Sequence, residues 1–172
     1  IQTKKIKDVA QSKVWEIRQY AWSPDGKWIA YVKPEEEGLS KIYLYSLEKD
    51  ESYEVTDGWY ASYSPIFSSD GKYLIFVSDR DFNPIYGRTE FNHVYQDMAR
   101  VYLVLLSKSV ESPFKPTSDE VKVSEGKQEQ QKEEAKKGPV SVVIDLDGIK
   151  ERIVGLPITP SNYTRLGYVQ DK

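Results

Sequence analysis

The apolar residues of this chain fall in short runs that are separated by turn-forming residues, and one such pattern occurs twice. Residues 20–32 read YAWSPDGKWIAYV and residues 65–77 read PIFSSDGKYLIFV, so the pattern returns after 45 positions. Each copy has an apolar segment, a polar Asp-Gly turn and a nearly continuous apolar segment. Glycine supplies the positive φ of tight hairpin turns, and continuous apolar runs suit strands that are buried on both faces. The pattern therefore predicts two antiparallel hairpins.

Further runs predict two more strands after each hairpin. KIYLY at 41–45 matches RVYLV at 100–104 as a third strand, and SYEVT at 52–56 predicts a short outer strand in the first repeat. In the second repeat, residues 140–148 predict a strand and a turn, and residues 152–154 finish the unit. Four strands at a period of about 40–50 residues are typical of a β-propeller blade. A β-sandwich is the alternative, but it gives no reason for the Asp-Gly-Lys-aromatic sequence to recur.

The fold class predicted in this way is all-β, with about two four-stranded antiparallel blades. Residues 1–12 are interpreted as the outer strand of a preceding blade, 13–58 as the first blade, 59–157 as the second blade, and 158–172 as the first strand of a following blade. Closed propellers have about 4–8 blades, so we expect an incomplete propeller excised from a longer protein. Its exposed blade edges predict self-association.

The second blade is longer than the first because it carries two insertions. The first, 79–98, mixes aromatic residues with Asn, Asp and Arg, and we expect it to be ordered on one end of the propeller. The second spans 107–139. Within it, residues 124–137 hold four Glu and four Lys with a single apolar residue, Ala135. Such a segment buries too little apolar surface to offset its ordering entropy, so the sequence predicts disorder there.

Composition and charge exclude several classes of function. Lys and Arg number 24 against 27 Asp and Glu, and a net charge of −3 gives no basic footprint for nucleic acid. No apolar run is long enough for a membrane-spanning helix, and the first eight residues lack the apolar core of a signal peptide. With no cysteine, the chain has no disulfide, catalytic thiol or Cys-ligated zinc, but the compartment stays unassigned.

The single histidine, His93, is the only residue on which a histidine-dependent catalytic triad could be built. Asp97 lies four residues further on, but a Gly-x-Ser-x-Gly motif is absent. A lone histidine among aromatic residues in a loop is more typical of packing or hydrogen bonding than of catalysis. We therefore predict no catalytic residue in this chain.

Two acidic sequences could be taken for metal sites, but each is better explained as a turn. In 145–148, DLDG, the calcium-loop pattern would need an oxygen ligand at its fifth position and Glu at its twelfth, where Ile149 and Leu156 stand. A β-turn explains it better. In 79–81, DRD, a salt-bridged turn is the better interpretation. The aromatic residues suit an inter-blade core more than a stacking platform. We expect no metal-ligating or cofactor-binding residue and no cofactor.

The residues of both repeats resemble a known group of propellers. The first repeat, 20–31, is similar to the repeat shared by TolB-like proteins, prolyl-oligopeptidase-like propellers and the tricorn protease family. The second blade resembles bacterial tricorn-type serine peptidases more specifically. The segments that carry this resemblance are 78–84, 91–95, 98–103, 112–116, 144–149, 152–154 and 156–157. Together with the first repeat, the resemblance covers essentially the whole chain.

The tricorn resemblance implies N-terminal propellers followed by a PDZ-like domain and a serine peptidase core that carries the catalytic residues. No position here matches those catalytic residues. The resemblance therefore implies a non-catalytic propeller region that serves substrate access, peptide gating or assembly. Its expected partners are peptide or protein substrates through the parent protein, and other blades and the peptidase core of the same chain. The alternatives are a TolB-like binding propeller with no enzyme attached and the propeller of a prolyl-oligopeptidase-like enzyme.

Overall fold

A computed structural model describes residues 6–36, 38–114 and 140–169, and its first unit is a four-stranded antiparallel sheet. The strands lie in sequence order, with β1 innermost. Each strand is hydrogen-bonded to the next strand along the chain, and Ala30 of the second strand pairs with both Ala21 and Leu44. The strands are β1 (Tyr20–Trp22), β2 (Trp28–Pro34), β3 (Ser40–Ser46) and β4 (Glu51–Glu54).

The second unit repeats this architecture and adds a small hairpin. Its sheet order is β5-β6-β9-β10, all antiparallel, and β7 pairs only with β8. A 3-10 turn, Ile149–Arg152, precedes the last described strand. The strands are β5 (Ser62–Phe67), β6 (Tyr73–Ser78), β7 (Ile85–Tyr86), β8 (His93–Val94), β9 (Arg100–Leu105) and β10 (Ile153–Gly155). The prediction of an all-β fold with four-stranded blades is confirmed.

The Asp-Gly turns of the two repeats have the same hydrogen bonds. The Ser23 hydroxyl donates to Asp25 Oδ1 at 2.6 Å and accepts from the Trp28 amide at 2.9 Å. Forty-five residues later, the Ser68 hydroxyl donates to Asp70 Oδ1 at 2.6 Å and accepts from the Tyr73 amide at 3.0 Å. The glycine that follows each aspartate has a φ of about 70°. The repeated sequence therefore specifies a repeated local geometry.

The two sheets pack face to face through a shared apolar layer. The first sheet contributes small and branched side chains, whereas the second contributes larger ones, so the two faces interdigitate. Phe76 and Tyr102 stack within this layer with ring centroids 5.9 Å apart. The buried members from the first sheet are Ala30, Val32, Ile42 and Leu44, and those from the second are Phe67, Leu74, Phe76, Tyr102 and Val104.

Residues 140–146, called the strap below, cross from the second unit to the turns of both repeats. Val142 is buried in the common core, and its backbone amide donates to Asp25 Oδ2 at 3.0 Å. The strap also lies against the second turn, because a Cβ on Gly71 would come within 2.8 Å of Val142. Lys150 adds a second link between the units through Glu54, at 2.6 Å. The strap therefore fastens the two units together at one rim.

Three predicted strands are not found among the described residues. Residues 140–148 form the strap and a turn rather than a strand, since only Asp145 within them donates a backbone hydrogen bond to the end of β9, at 2.9 Å. Residues 6–9 and 163–169 are not in strands either, because their contacts with the two sheets do not form a ladder: Lys7 pairs with the Asp50 carboxylate, and the Thr164 carbonyl accepts from the Ser64 hydroxyl at 3.1 Å. Their assignment to flanking blades stays a prediction. Residues 124–137, predicted to be disordered, lie outside the described residues.

None of the helical structure in the described ranges has the length and apolar character that crossing a membrane requires.

A matched pair of glycine substitutions tests the contact between the strap and the second turn. Gly26→Ala places its Cβ in open space, so only the left-handed backbone opposes it, at about 1 kcal/mol. Gly71→Ala has the same φ but also meets the strap, so we expect a loss of about 2–3 kcal/mol in the free energy of unfolding. Urea unfolding measures both. Equal losses would show that the strap does not pack as described.

The two turn aspartates provide a second test. In Asp70→Asn the new NH2 group can replace Oδ2, the oxygen that takes no part in the turn hydrogen bonds. The neighbour of Oδ2 is the Lys72 Nζ atom at 3.8 Å. In Asp25→Asn the one remaining side-chain oxygen can accept either the turn hydrogen bonds or the Val142 amide. The new NH2 group cannot accept a hydrogen bond, so it faces a donor in either orientation. We therefore expect Asp25→Asn to lower the free energy of unfolding by about 1–2 kcal/mol more than Asp70→Asn at pH 7.

The pH dependence of this difference follows from the Asp25 carboxyl group. Burial opposes its ionisation, but hydrogen bonds from Ser23, Val142 and Lys27 outweigh burial and hold the pKa below the ordinary 3.8. A lowered folded pKa stabilises the protein above the unfolded pKa, and this stabilisation is lost as the pH falls through the folded value. The difference between the two variants should therefore shrink below about pH 4. A difference that persists at lower pH would contradict this assignment.

Candidate functional site

An ion pair fixes the base of the 79–98 insertion to the second sheet. Arg100, the first residue of β9, donates through Nε to Asp81 Oδ2 at 2.7 Å and through Nη2 to Oδ1. The Tyr102 hydroxyl donates to the same carboxylate at 2.8 Å. The Arg100 hydrogen bonds lower the pKa of Asp81, although partial burial acts in the opposite direction. Asp81 is therefore a charged anchor at neutral pH.

Beyond this anchor, the insertion folds into the β7–β8 hairpin with an aromatic surface. The Tyr86 ring lies 6.3 Å from Phe91 and 5.9 Å from His93, and Phe82 lies 5.8 Å from Tyr95. Such contacts hold aromatic rings in place while leaving one side of each ring in solvent. The exposed apolar residues of the insertion are Phe82, Ile85, Tyr86, Phe91, Val94 and Tyr95, which we call the aromatic surface.

The backbone of the insertion is strained at a member of this surface. Phe91 has a φ of 56° and is 70% exposed, so its ring points into solvent from a left-handed conformation. This conformation is uncommon for a bulky residue and persists only where the surroundings enforce it. Large apolar patches on a soluble surface mark interaction sites. The aromatic surface is therefore the strongest candidate contact surface of the described residues.

The two rims of the unit differ in chemistry. Because the strands are antiparallel, the loops after β2, β4, β6 and β10 share one rim with the insertion, which we call the insertion rim. The Asp-Gly turns, the strap and the 3-10 turn share the opposite rim, which we call the turn rim. Trp59 on the insertion rim is 78% exposed, while the turn rim carries ion pairs such as Lys108 with Asp147 at 2.6 Å. The two rims therefore suit different contacts.

A cleft of about 600 Å³ lies between the insertion and the segment after β10. Arg80 lines it together with Asp81 and Asp97, Phe82 and Ile85 contribute apolar surface, and Thr159 and Pro160 close the opposite side. The isolated bridge between Ala99 and Ser161 holds that opposite side in place. The cleft combines charged side chains of both signs with apolar walls.

The residues singled out from the sequence lie in separate places. His93 is in β8 on the aromatic surface, exposed and in ring contact with Tyr86. Asp145 accepts from the Ser107 hydroxyl at 2.8 Å and from the Lys108 amide at 2.7 Å, on the turn rim. Within the described residues, no group of three or more His, Cys, Asp or Glu side chains is placed to hold a metal ion.

Sequence reasoning did not identify Arg100 and Tyr102 as partners of the 79–81 turn. The acidic residues suggested a salt-bridged turn, but the cation that pairs with Asp81 lies 19 residues further on. The sequence did hold a usable signal, because Arg100 begins the third strand of the repeat and this strand lies next to the one that ends just before the insertion. Ser78 and Arg100 are register partners, which places Asp81 and Arg100 on the same rim.

Two antiparallel four-stranded sheets with a shared repeat and an interdigitating core define a β-propeller segment. Comparison with known proteins makes this specific, since residues 1–172 match the family described as the tricorn protease second beta propeller domain. The chain belongs to this family.

Individual relatives and a solved structure agree with this assignment. The chain is 30% identical over 166 residues to "Tricorn protease homolog 1" of Streptomyces coelicolor, which covers 96% of this chain and 15% of the relative. A crystal structure of the tricorn protease shares the fold with a TM-score of 0.71 at 20% identity, over 91% of this chain and 14% of that one. TolB of Alcanivorax borkumensis matches only 38% of this chain and 15% of its own length, at 40% identity. The chain thus spans about 15% of its tricorn-type relative.

The Asp81 anchor can be tested by hydrogen exchange of the insertion. Asp81→Asn removes the charge that pairs with Arg100, so residues 82–97 should open more easily by about 1.5 kcal/mol or more, and their amides should exchange about tenfold faster. Glu90→Gln, which neutralises an exposed carboxylate on the same insertion, is the matched control and should leave exchange unchanged. Equal exchange in Asp81→Asn and the unmodified chain would show that the ion pair does not hold the insertion.

Proposed function

We propose that this propeller is a non-catalytic region of a tricorn-like serine peptidase and that it serves substrate access, peptide gating or assembly. The match of the whole chain to the tricorn second propeller carries this proposal. Because the chain spans about 15% of a tricorn-type relative, the peptidase core of such a protein lies in other parts of the polypeptide. The alternative, a TolB-like binding propeller, is less favoured, since the TolB similarity covers a much smaller part of the chain.

The exposed face of the first sheet supports contact with another blade of the same propeller. Phe67 is 8% exposed because it packs on the first sheet. Trp22 holds the equivalent position one repeat earlier and is 53% exposed, and Tyr20 beside it is also exposed. The first strand of the second sheet is thus covered by the first sheet, whereas the equivalent strand of the first sheet is open. This difference is expected when a further blade stacks on the first sheet. In the parent protein this face packs against a preceding blade.

The aromatic surface on the insertion rim supports a role in handling peptides. Peptide chains in extended form present apolar side chains and free backbone groups, and exposed aromatic rings bind both without a strict sequence requirement. The insertion holds these rings on a hairpin that is anchored by the Asp81–Arg100 pair. A fixed array of this kind can sort or orient peptides before they reach a distant catalytic site.

Hydrolysis kinetics of the complete tricorn-like polypeptide test this role. Phe91→Asn removes an exposed ring, and asparagine tolerates the local φ of 56°, so the backbone is not disturbed. We expect kcat/KM to fall roughly three- to tenfold for peptides of about ten residues and to be unchanged for a tripeptide amide, as expected for a loss of about 1 kcal/mol of peptide contact.

The matched control is Val143→Asn on the strap, because Val143 is 59% exposed but lies on the turn rim. It should leave both substrates unaffected. An effect of Phe91→Asn that is the same for both peptide lengths would contradict a role in peptide access. Turnover of either peptide by the isolated chain would contradict the non-catalytic assignment.

A further inference from the structure

Arg80 has an unused hydrogen-bonding group in a place where such groups are costly. Its Nε is buried and donates to no partner, and no ion pair forms between its guanidinium and any described residue. Its contact is with the Tyr102 ring, whose centroid lies 5.5 Å from the guanidinium carbon. Buried donors without partners are uncommon in folded proteins, and each one calls for a specific explanation.

The charges around Tyr102 leave an excess of positive charge. Arg80 and Arg100 both lie against this ring, at 5.5 and 5.8 Å from its centroid. Asp81 is the only carboxylate in an ion pair with either guanidinium among the described residues, and it is paired with Arg100 through both of its oxygens. The Tyr102 hydroxyl uses the same carboxylate. One positive charge is therefore left without a counter-charge in direct contact.

The other acidic groups nearby do not take this role. Asp79 accepts a hydrogen bond from the Tyr63 hydroxyl at 3.2 Å, and burial together with this carboxylate raises the pKa of Tyr63 to about 12, so the hydroxyl stays a donor. Asp97 lines the same cleft as Arg80 but is exposed, so water screens its charge. An anion that enters the cleft beside Arg80 therefore meets a guanidinium that no described carboxylate neutralises by direct contact, whereas the charge of Asp81 is already matched by Arg100.

The walls of the cleft define what accompanies that anion. Phe82 and Ile85 are 57% and 55% exposed beside Arg80, and Pro160 faces them across the cleft. A free inorganic anion would leave this apolar surface in water. A carboxylate that is attached to an apolar side chain would use both features, because the guanidinium fork pairs with two carboxylate oxygens at once.

The geometry points to a binding site for a peptide carboxylate next to an apolar side chain, with Arg80 as the anion-binding residue and Phe82 and Ile85 as the apolar wall. Two groups can supply this chemistry, the C-terminal carboxylate of a peptide and an Asp or Glu side chain that adjoins an apolar residue. The site shares Phe82 and Ile85 with the aromatic surface but does not include the rings of Tyr86 and Phe91, and it does not depend on the place of this chain in a peptidase.

Titration calorimetry on the 172-residue chain tests the site with three acetylated peptides. One is Ac-Gly-Leu-Phe with a free C-terminal carboxylate, the second is its C-terminal amide, and the third is Ac-Gly-Phe-Glu amide, which carries only a side-chain carboxylate. We expect the free acid to bind at least tenfold more tightly than its amide, because the guanidinium–carboxylate pair forms only with the acid. Binding of the third peptide as tight as the free acid assigns a side-chain carboxylate as sufficient, whereas weak binding assigns the C-terminus.

Three variants locate the effect. Arg80→Gln should abolish the preference for the acid over the amide, and Arg80→Lys should retain only part of it, since an ammonium group lacks the planar fork. Arg88→Gln removes a positive charge from an exposed position on the same insertion and should keep the preference within twofold.

A second measurement does not depend on how well the Arg80 variants fold. In amide NMR spectra of the unmodified chain, the acid should shift the Thr159 resonance and the amide peptide should not. Equal binding of acid and amide, no binding of either at millimolar concentration, or a preference that survives in a folded Arg80→Gln chain would each overturn the inference.

Discussion

The apolar layer between the two sheets is the contact on which the other features of this molecule depend. Ala30 and Leu44 from one sheet and Phe76 and Val104 from the other are fully buried in it. Twisted sheets stack at a fixed separation of about 10 Å, so filling this layer also fixes the angle between the sheets. That angle brings both Asp-Gly turns under the strap. It also sets the platform from which the insertion projects, because β6 and β9 belong to the same layer.

The repeat predicts well those parts of the fold that local sequence decides. Alternating apolar runs and an Asp-Gly turn specify a hairpin within about thirteen residues, and both copies adopt it. The strap could not be predicted in this way. Asp25 and Asp70 are equivalent by sequence, yet only Asp25 bonds to Val142, and that difference comes from a segment more than a hundred residues away. The apolar run at 140–144 indicated a strand, but its partner is a turn of another blade.

The candidate site shows the same division between local and distant information. Sequence placed an ordered, aromatic insertion at 79–98, because its composition is unlike that of a linker. It did not show that Arg100 would take Asp81 and leave Arg80 without an ion pair, since this depends on the register between β6 and β9. It also gave no indication of the cleft, whose opposite wall, near Thr159, lies more than sixty residues beyond the insertion. Family resemblance, rather than any single residue, connected the chain with peptidases.

The strap has a further consequence for the order in which the molecule is completed. The Val142 amide and the Asp25 carboxylate that it bonds are 117 positions apart in the chain. A ribosome that adds roughly 5–20 residues per second makes the second partner about 6–23 seconds after the first. The covering sheet, with its buried residues from Phe67 to Val104, is made within this interval, but the bond that closes the rim has to wait for Val142. The rim contact of the first repeat is therefore among the last to form, and the apolar face of the first sheet is open to aggregation until β5, β6 and β9 have been made.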